Sequence, residues 1–488
     1  MALSGGGHRA ACWGAGALLG LVDADASGDV VSVSSVSGGS IANGVVGRGG
    51  DLRIGSREAV EGWLGRGLQQ WGHVGLFFPG APTDRWVVAT LGLVALALAT
   101  VVSALAATVA ASRDWAMATV GWVALGLTAA MAGLVLWKVW SLLPRRSMEV
   151  AVLAGALATG PLSVGAVLTA TRSAWWLMVP WAVGVILLAV ATRRFGGRSA
   201  IAADGLAATT CPGTLDDLRE RPVHHVFCAT NLRTGNNLYL SNRLTWGSPG
   251  LAAEVGSTTL ATAVQASACL PGAFLARTLD IEGHTVVLSD GGVYDNMADQ
   301  WEWGYPNRVD YAADTPGASA VLAAAQAEAA THLVVVNASR GMEGTDDKLT
   351  RPGLSGEMTS ALGAKDVLYD VSTATRRRIL IDMFDRAGAD PDNGPGGMLV
   401  HIGTSPYTVL DGFAGGTDAS ALRAAQLLPL LDQATDLDAG TTTQEERRRH
   451  WKEVADANSV VPTTLAPLES IEPGSTARLL HHAWVLTR

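Results

Sequence analysis

Cysteine is scarce in this chain and never paired at metal-ligand spacing. The four, Cys12, Cys211, Cys228 and Cys269, stand apart in 488 residues. Neither a zinc cage nor a disulfide framework is indicated, and buried free thiols in a reducing compartment are the plain expectation. Positive charge is also short: 35 Lys and Arg against 44 Asp and Glu leave a net charge of −9. Counterion-release binding needs clustered Lys and Arg, so nucleic acid is excluded as a general partner. Met1 leads into Ser4-Gly5-Gly6-Gly7 without a basic segment and an apolar one, so no cleavable signal peptide is expected. His224-His225 and His481-His482 lack a third ligand at metal spacing.

Hydrophobicity is plentiful, at 48% of residues with only 16% charged. It is concentrated in four apolar runs at 86–112, 115–137, 150–171 and 173–191. Each has about 20 residues or more, enough to cross a hydrocarbon core of roughly 30 Å. Trp86, Trp115, Trp137, Trp140, Trp175 and Trp176 cluster near the run ends, as interfacial aromatic belts do. The expectation is a four-helix transmembrane insert at 81–197, dividing a catalytic domain into 1–80 and 198–488. An even number of crossings returns the chain to the same side. Arg85, Lys138, Arg145, Arg146, Arg193, Arg194 and Arg198 fall on that side, against Arg113 and Arg172 opposite. The flanks are therefore expected in the cytoplasm, in a multi-pass integral membrane protein. No run carries an ionisable residue in its interior, which favours an anchor or dimerisation element over a transporter.

Outside 81–197, short β-like runs at 30–34, 223–229, 285–288 and 332–336 alternate with helical stretches of small residues, including 35–50 and 256–269. This alternation indicates an α/β fold with a buried, mostly parallel sheet. Residues 231–242, centred on Thr234-Gly235-Asn236-Asn237, read as a hairpin, and a helix is expected near 359–384.

The chain opens with a very short strand, then Ser4-Gly5-Gly6-Gly7-His8-Arg9-Ala10, then a helix to about Ala24. Unhindered backbone N–H groups at a helix N-terminus suit an anion or oxyanion. The rival reading is a dinucleotide fingerprint, since Gly5 to Ala10 formally matches G-x-G-x-x-A, but serines stand where its acidic residue belongs. The strand at 30–34 runs through Ser35-Val36-Ser37-Gly38-Gly39-Ser40 into a helix, a junction similar to the nucleophile elbow G-x-S-x-G with Ser37 in the nucleophile position. Gly5, Gly6 and Gly7, with Gly38, are the candidate oxyanion donors. A serine needs a base. Asp290, ending an apolar strand before Gly291-Gly292, is the first candidate, and Asp295 competes with it. A Ser-Asp-His α/β-hydrolase triad is the rival, because His332, His401, His450, His481 and His482 all follow Asp290.

Together Gly5-Gly6-Gly7 with Arg9, the elbow at Ser37, and Asp290-Gly291-Gly292 resemble the patatin-like phospholipases, the branch containing the cytosolic phospholipases in particular. The stretch Gln265-Ala266-Ser267-Ala268-Cys269-Leu270-Pro271-Gly272 is similar to the family's helix ending in Pro-Gly before the Asp strand. The resemblance covers roughly 1–50 and 220–300. It implies a three-layer sandwich, interrupted here by the insert, and a Ser–Asp dyad of Ser37 and Asp290 without a catalytic histidine. By the same analogy Arg9 would hold a substrate phosphate. The function expected is a membrane-anchored acyl hydrolase of phospholipid or other lipid esters, with no metal or organic cofactor. The alternative of another class is a catalytically silent membrane scaffold with the same fold.

Overall fold

The structure, a computed structural model, describes residues 1–74, 198–247, 251–271, 274–315, 317–325, 330–339, 354–390, 395–416, 418–435, 443–461 and 473–488. The chain separates into two compact units, Met1–Pro79 with Ala203–Arg488, and Gly80–Ala202. The second falls outside the described residues except for 198–202.

The expected transmembrane insert, and with it the multi-pass membrane placement, is corrected. Among the described residues no helix is long and apolar enough to cross a membrane. Helices Arg57–Val74 and Leu354–Ala389 have the length. Their charges, among them Arg57, Glu58, Glu61 and Arg66 in the first and Arg376, Arg377 and Arg378 in the second, forbid it, since each charge at a span centre costs about 2.5–3.5 kcal/mol. The four apolar runs on which the expectation rested lie outside the described residues.

In the first unit, β1 (Ala2–Leu3) passes through a glycine loop into α1 (Gly7–Asp23), and β2 (Ser32–Ser35) turns into α2 (Gly38–Gly49) and α3 (Arg57–Val74). After α4 (Arg198–Thr209) come β3 (His224–Asn231), β4 (Asn236–Ser241), β5 (Leu244–Gly247), β6 (Leu251–Glu254), α5 (Leu260–Ser267), β7 (Arg277–Ile281) and β8 (His284–Asp290). Then follow α6 (Gln300–Trp303), α7 (Tyr305–Asp314), α8 (Ala318–Ala324), β9 (His332–Asn337), α9 (Leu354–Ala389) and β10 (Gly396–His401). Among the described residues four helices follow: α10 (Pro406–Ala414), α11 (Asp418–Thr435), α12 (Gln444–Ser459) and α13 (Pro473–Thr487).

The strands form one mixed sheet in the order β10-β9-β1-β2-β3-β4-β5-β6, with β8 pairing β3 and β7 pairing β8. The class is α/β. The block β10-β9-β1-β2-β3 is parallel, and the remainder extends it by antiparallel hairpins, the first at Asn231↔Asn236.

Helices cover both faces, as strand alternation requires. Ala2, Val226, Cys228, Leu333 and Val335 share a buried cluster with Trp301 of α6, Ala312 of α7, Leu322 of α8 and Leu380 of α9. The alternate residues face the other layer: a Cβ at Gly14 of α1 would lie 3.6 Å from Leu3 Cδ1, and one at Gly44 of α2 would lie 3.9 Å from Phe227 Cε1. The small residues of α1 admit α13 at close range, since a Cβ at Gly16 would stand 2.2 Å from the Leu480 carbonyl oxygen.

Candidate active site

At the end of β2, Val36 and Ser37 turn the chain into α2. Ser37 has φ 51° and ψ −118°, a region that favours glycine and costs a residue with a Cβ about 1–3 kcal/mol. The turn is held from below. Ser37 N–H is shared between the Ser267 carbonyl at 3.2 Å and the Ser267 hydroxyl at 3.1 Å. Ser267 Oγ donates to the Cys228 carbonyl at 2.6 Å and lies 2.7 Å from Ser40 Oγ. Ser35 Oγ donates to the Val226 carbonyl at 3.0 Å and accepts from Asn43 Nδ2 at 2.9 Å. Ser35 and Ser40, whose hydroxyls lie 3.1 Å apart, thus form with Ser267 a buried hydroxyl network rather than a polar surface.

Close approach explains the glycines. A Cβ at Gly38 would lie 1.9 Å from the Gly7 carbonyl oxygen, and one at Gly39 would lie 2.6 Å from that of Leu3. The glycine loop is therefore pressed directly onto the elbow. Gly7 and Gly38 are the first residues of α1 and α2, so their amides have no acceptor within their own helices, and both sit at the positive end of a helix dipole. Gly6, with φ 137°, precedes them. Gly5 differs, because its N–H donates to the Asn296 carbonyl at 2.9 Å, which leaves Gly6, Gly7 and Gly38 as the candidate oxyanion donors.

Asp290 reaches this point through the sheet. One edge of β3 carries β4; the other carries β2 as far as Ser35↔Phe227, and then β8 from Ala229↔Asp290. β8 therefore runs head-on toward the end of β2, with one residue of β3, Cys228, between the partners of Ser35 and Asp290, a separation of two residue steps or roughly 7 Å. A Cβ at Gly291 would meet the Cys228 carbonyl oxygen at 2.2 Å and Val36 Cγ2 at 3.1 Å. The Asp-Gly-Gly turn thus packs on the residue preceding Ser37. Asp290 Oδ1 accepts from Gly292 N–H at 2.8 Å, its own N–H donates to the Cys269 carbonyl at 2.9 Å, and its carbonyl accepts from Thr230 Oγ1 at 2.9 Å. Asp290 is 1% exposed and Ser37 7%. The arrangement combines a hydroxyl on a strained turn, an adjoining carboxylate and convergent helix N-termini, the ingredients of acyl transfer.

The other candidates are placed as follows. Arg9 is 2% exposed, its Nη1 donates to the Val461 carbonyl at 2.6 Å, and a Cβ at Gly6 would lie 3.6 Å from its Nη2, so its guanidinium is buried beside the glycine loop. Asp295 accepts from the Met297 and Gln300 amides at 3.1 and 3.0 Å. It lies 3.4 Å from Arg376, which also bonds Asp299 through Nε at 2.9 Å and Nη2 at 2.6 Å. Burial first, and then the Asp299 charge, push the Asp295 carboxyl up to about 7. This cluster clamps α9 to the loop after Asp290, a structural task.

Among the described residues, none of the triad histidines bonds Ser37 or Asp290. His401 Nδ1 accepts from Gly403 N–H at 3.1 Å, and His482 lies between Asn458 Nδ2 at 3.1 Å and the Thr404 carbonyl at 2.9 Å. His450 and His481 flank Trp451, and His332 is exposed. No group of three or more His, Cys, Asp or Glu is placed to hold a metal among the described residues.

Two residues at the site escape sequence reasoning. Ser267 supports the elbow from a helix of small residues that the resemblance picks out as a stretch without giving this serine a role. Asn296 lies beside Asp295 in a loop where only three-dimensional contact separates the two. No protein-family model and no curated protein matches the chain.

Proposed function

We propose that the protein is a serine acyl hydrolase of lipid carboxylic esters, of phospholipase A or lysophospholipase type, using a Ser37–Asp290 dyad. The observation carrying this reading is the backbone of Ser37: a non-glycine residue held at φ 51° in a strand-to-helix turn, with Asp290 on the strand that abuts that turn. Folds retain strain where the surroundings over-determine it, and such strain clusters at functional sites. The lipid substrate class rests on the motif resemblance to patatin-like phospholipases.

In this mechanism Asp290 takes the Ser37 proton as Oγ attacks the ester carbonyl carbon. The amides of Gly6, Gly7 and Gly38 receive the negative oxygen; one such donor is worth about 10²–10³ in rate. Collapse expels the alcohol, which leaves with the proton held by Asp290. Water then enters the vacated position and attacks the acyl carbon as Asp290 takes its proton; breaking the acyl–Oγ bond releases the fatty acid, and Asp290 returns the proton to Ser37 Oγ.

A fluorophosphonate probe should label the wild type at Ser37 and leave Ser37→Ala unlabelled. Incubation with a mixed lipid extract should release fatty acids and lyso-lipids, read by mass spectrometry. Equal fatty-acid release by the alanine variant would sink the proposal.

A further inference from the structure

Four segments meet at Asn296. Its backbone carbonyl accepts Gly5 N–H at 2.9 Å. Its Nδ2 donates to Ser339 Oγ, just past β9, at 2.9 Å, and to Thr373 Oγ1 of α9 at 3.3 Å. Its Oδ1 fills the space between the glycine loop and the Asp-Gly-Gly turn: a Cβ at Gly5 would lie 2.3 Å from it, and one at Gly292 2.7 Å. The same two glycines border the reacting groups. The Cβ position of Gly5 is 3.4 Å from Ser37 Cβ, and that of Gly292 is 3.0 Å from Asp290 Oδ1.

We infer that Asn296 is a positioning residue: its carboxamide pins the glycine loop against the Asp290 turn and so fixes the oxyanion amides relative to the Ser37–Asp290 pair. This rests on the serine hydrolase reading. Asn296 touches the loop at Gly5, whose N–H it occupies, and leaves the amides of Gly6 and Gly7 to substrate. The side chain suits the place because its oxygen fits two Cα surfaces that admit no Cβ, while its nitrogen reaches hydroxyls on two further elements. Alanine would remove both anchors. Aspartate keeps the shape, loses the donor and sets a second negative charge against the turn that holds Asp290, a neighbour that raises the pH at which a carboxylate ionises.

The test compares wild type, Asn296→Ala and Asn296→Asp on a p-nitrophenyl ester, with active sites counted by fluorophosphonate titration. Misplacement of catalytic groups by about 1 Å costs on the order of 10²-fold. Asn296→Ala should therefore lose about 10- to 100-fold in kcat per titrated site with KM nearly unchanged. In Asn296→Asp the acid limb of the kcat/KM profile should move to higher pH. A merely structural residue would lower the number of titrated sites while leaving kcat per site and the pH profile in place. Full per-site kcat in the alanine variant together with an unshifted profile in the aspartate variant overturns the inference and leaves the hydrolase standing. If alanine prevents folding, the near-isosteric aspartate variant decides by its pH profile. A wild type that neither titrates nor hydrolyses the ester overturns the hydrolase reading and this inference with it.

Discussion

The strain at Ser37 gives the sharpest test, because activity and stability should part there. Ser37→Ala and Ser37→Gly both remove the hydroxyl and should both be inactive. They differ in one Cβ at a residue with φ 51° and ψ −118°. A Cβ in such a region costs about 1–3 kcal/mol, which glycine recovers. Glycine also gives the unfolded chain more freedom, a loss of roughly 0.5–1 kcal/mol. The balance favours Ser37→Gly over Ser37→Ala by about 1 kcal/mol. Ser37→Ala itself should stay within about 0.5 kcal/mol of wild type, since a single hydroxyl is removed and the supporting bonds use the backbone. Urea unfolding followed by tryptophan fluorescence, with m-values compared between variants, reads the difference directly. An alanine variant as stable as the glycine variant, or more so, would refute the strain argument and with it the structural case for the elbow.

Asp290→Asn should lose orders of magnitude in rate, while Gln at His332, His401, His450, His481 or His482 should leave substantial activity in a folded enzyme; one histidine variant as damaged as Ser37→Ala would establish a triad instead. Gly38→Ala should fold poorly or lose at least about 10²-fold in kcat, because its Cβ would stand 1.9 Å from the Gly7 carbonyl oxygen at the oxyanion amides; near-normal turnover would show that this contact is loose. Burial holds the His8, His225 and His482 imidazoles down to about 4, 3 and 4, so the unfolded chain binds more protons below about pH 6.5. Stability should fall as pH drops from that point toward 4, by up to about 1.4 kcal/mol per unit for each histidine, and a flat denaturation midpoint across this range would refute it. Asp295 acts oppositely, as one group against three: its carboxyl, raised to about 7, adds stability at low pH that is lost as pH rises from about 4 to 7. Arg376→Met, which strands Asp295 and Asp299, should cost about 3–5 kcal/mol at pH 8 and less at pH 5, as chemical denaturation at the two pH values would show.

Sequence alone determined the local pieces of this site. Gly5 to Gly7 before a helix, and a serine between a β-branched run and Gly38-Gly39, specify strand-turn-helix units because backbone freedom and hydrogen-bond geometry act over a few residues. The helices expected at 35–50 and 256–269 are trimmed in the structure to Gly38–Gly49 and Leu260–Ser267, the latter capped where Thr259 accepts from the Thr262 amide. Tertiary structure decided what those pieces face. Asp290 meets the elbow because β8 takes the edge of β3 that β2 leaves, a pairing between residues 61 positions apart at Ala229↔Asp290 that no local pattern encodes. Asp290, Asp295 and Asn296 are neighbours in sequence, yet the fold sets the first on the strand that abuts the elbow, spends the second on Arg376, and wedges the third between two glycines. Arg9 has the same chemistry whether it turns outward to solvent or inward to Val461; only packing chose the interior. The membrane expectation marks the same boundary, because hydropathy measures how strongly a segment avoids water and is silent about what receives it. Length and charge settle that question for Arg57–Val74 and Leu354–Ala389, which are long enough to span and too charged to do so.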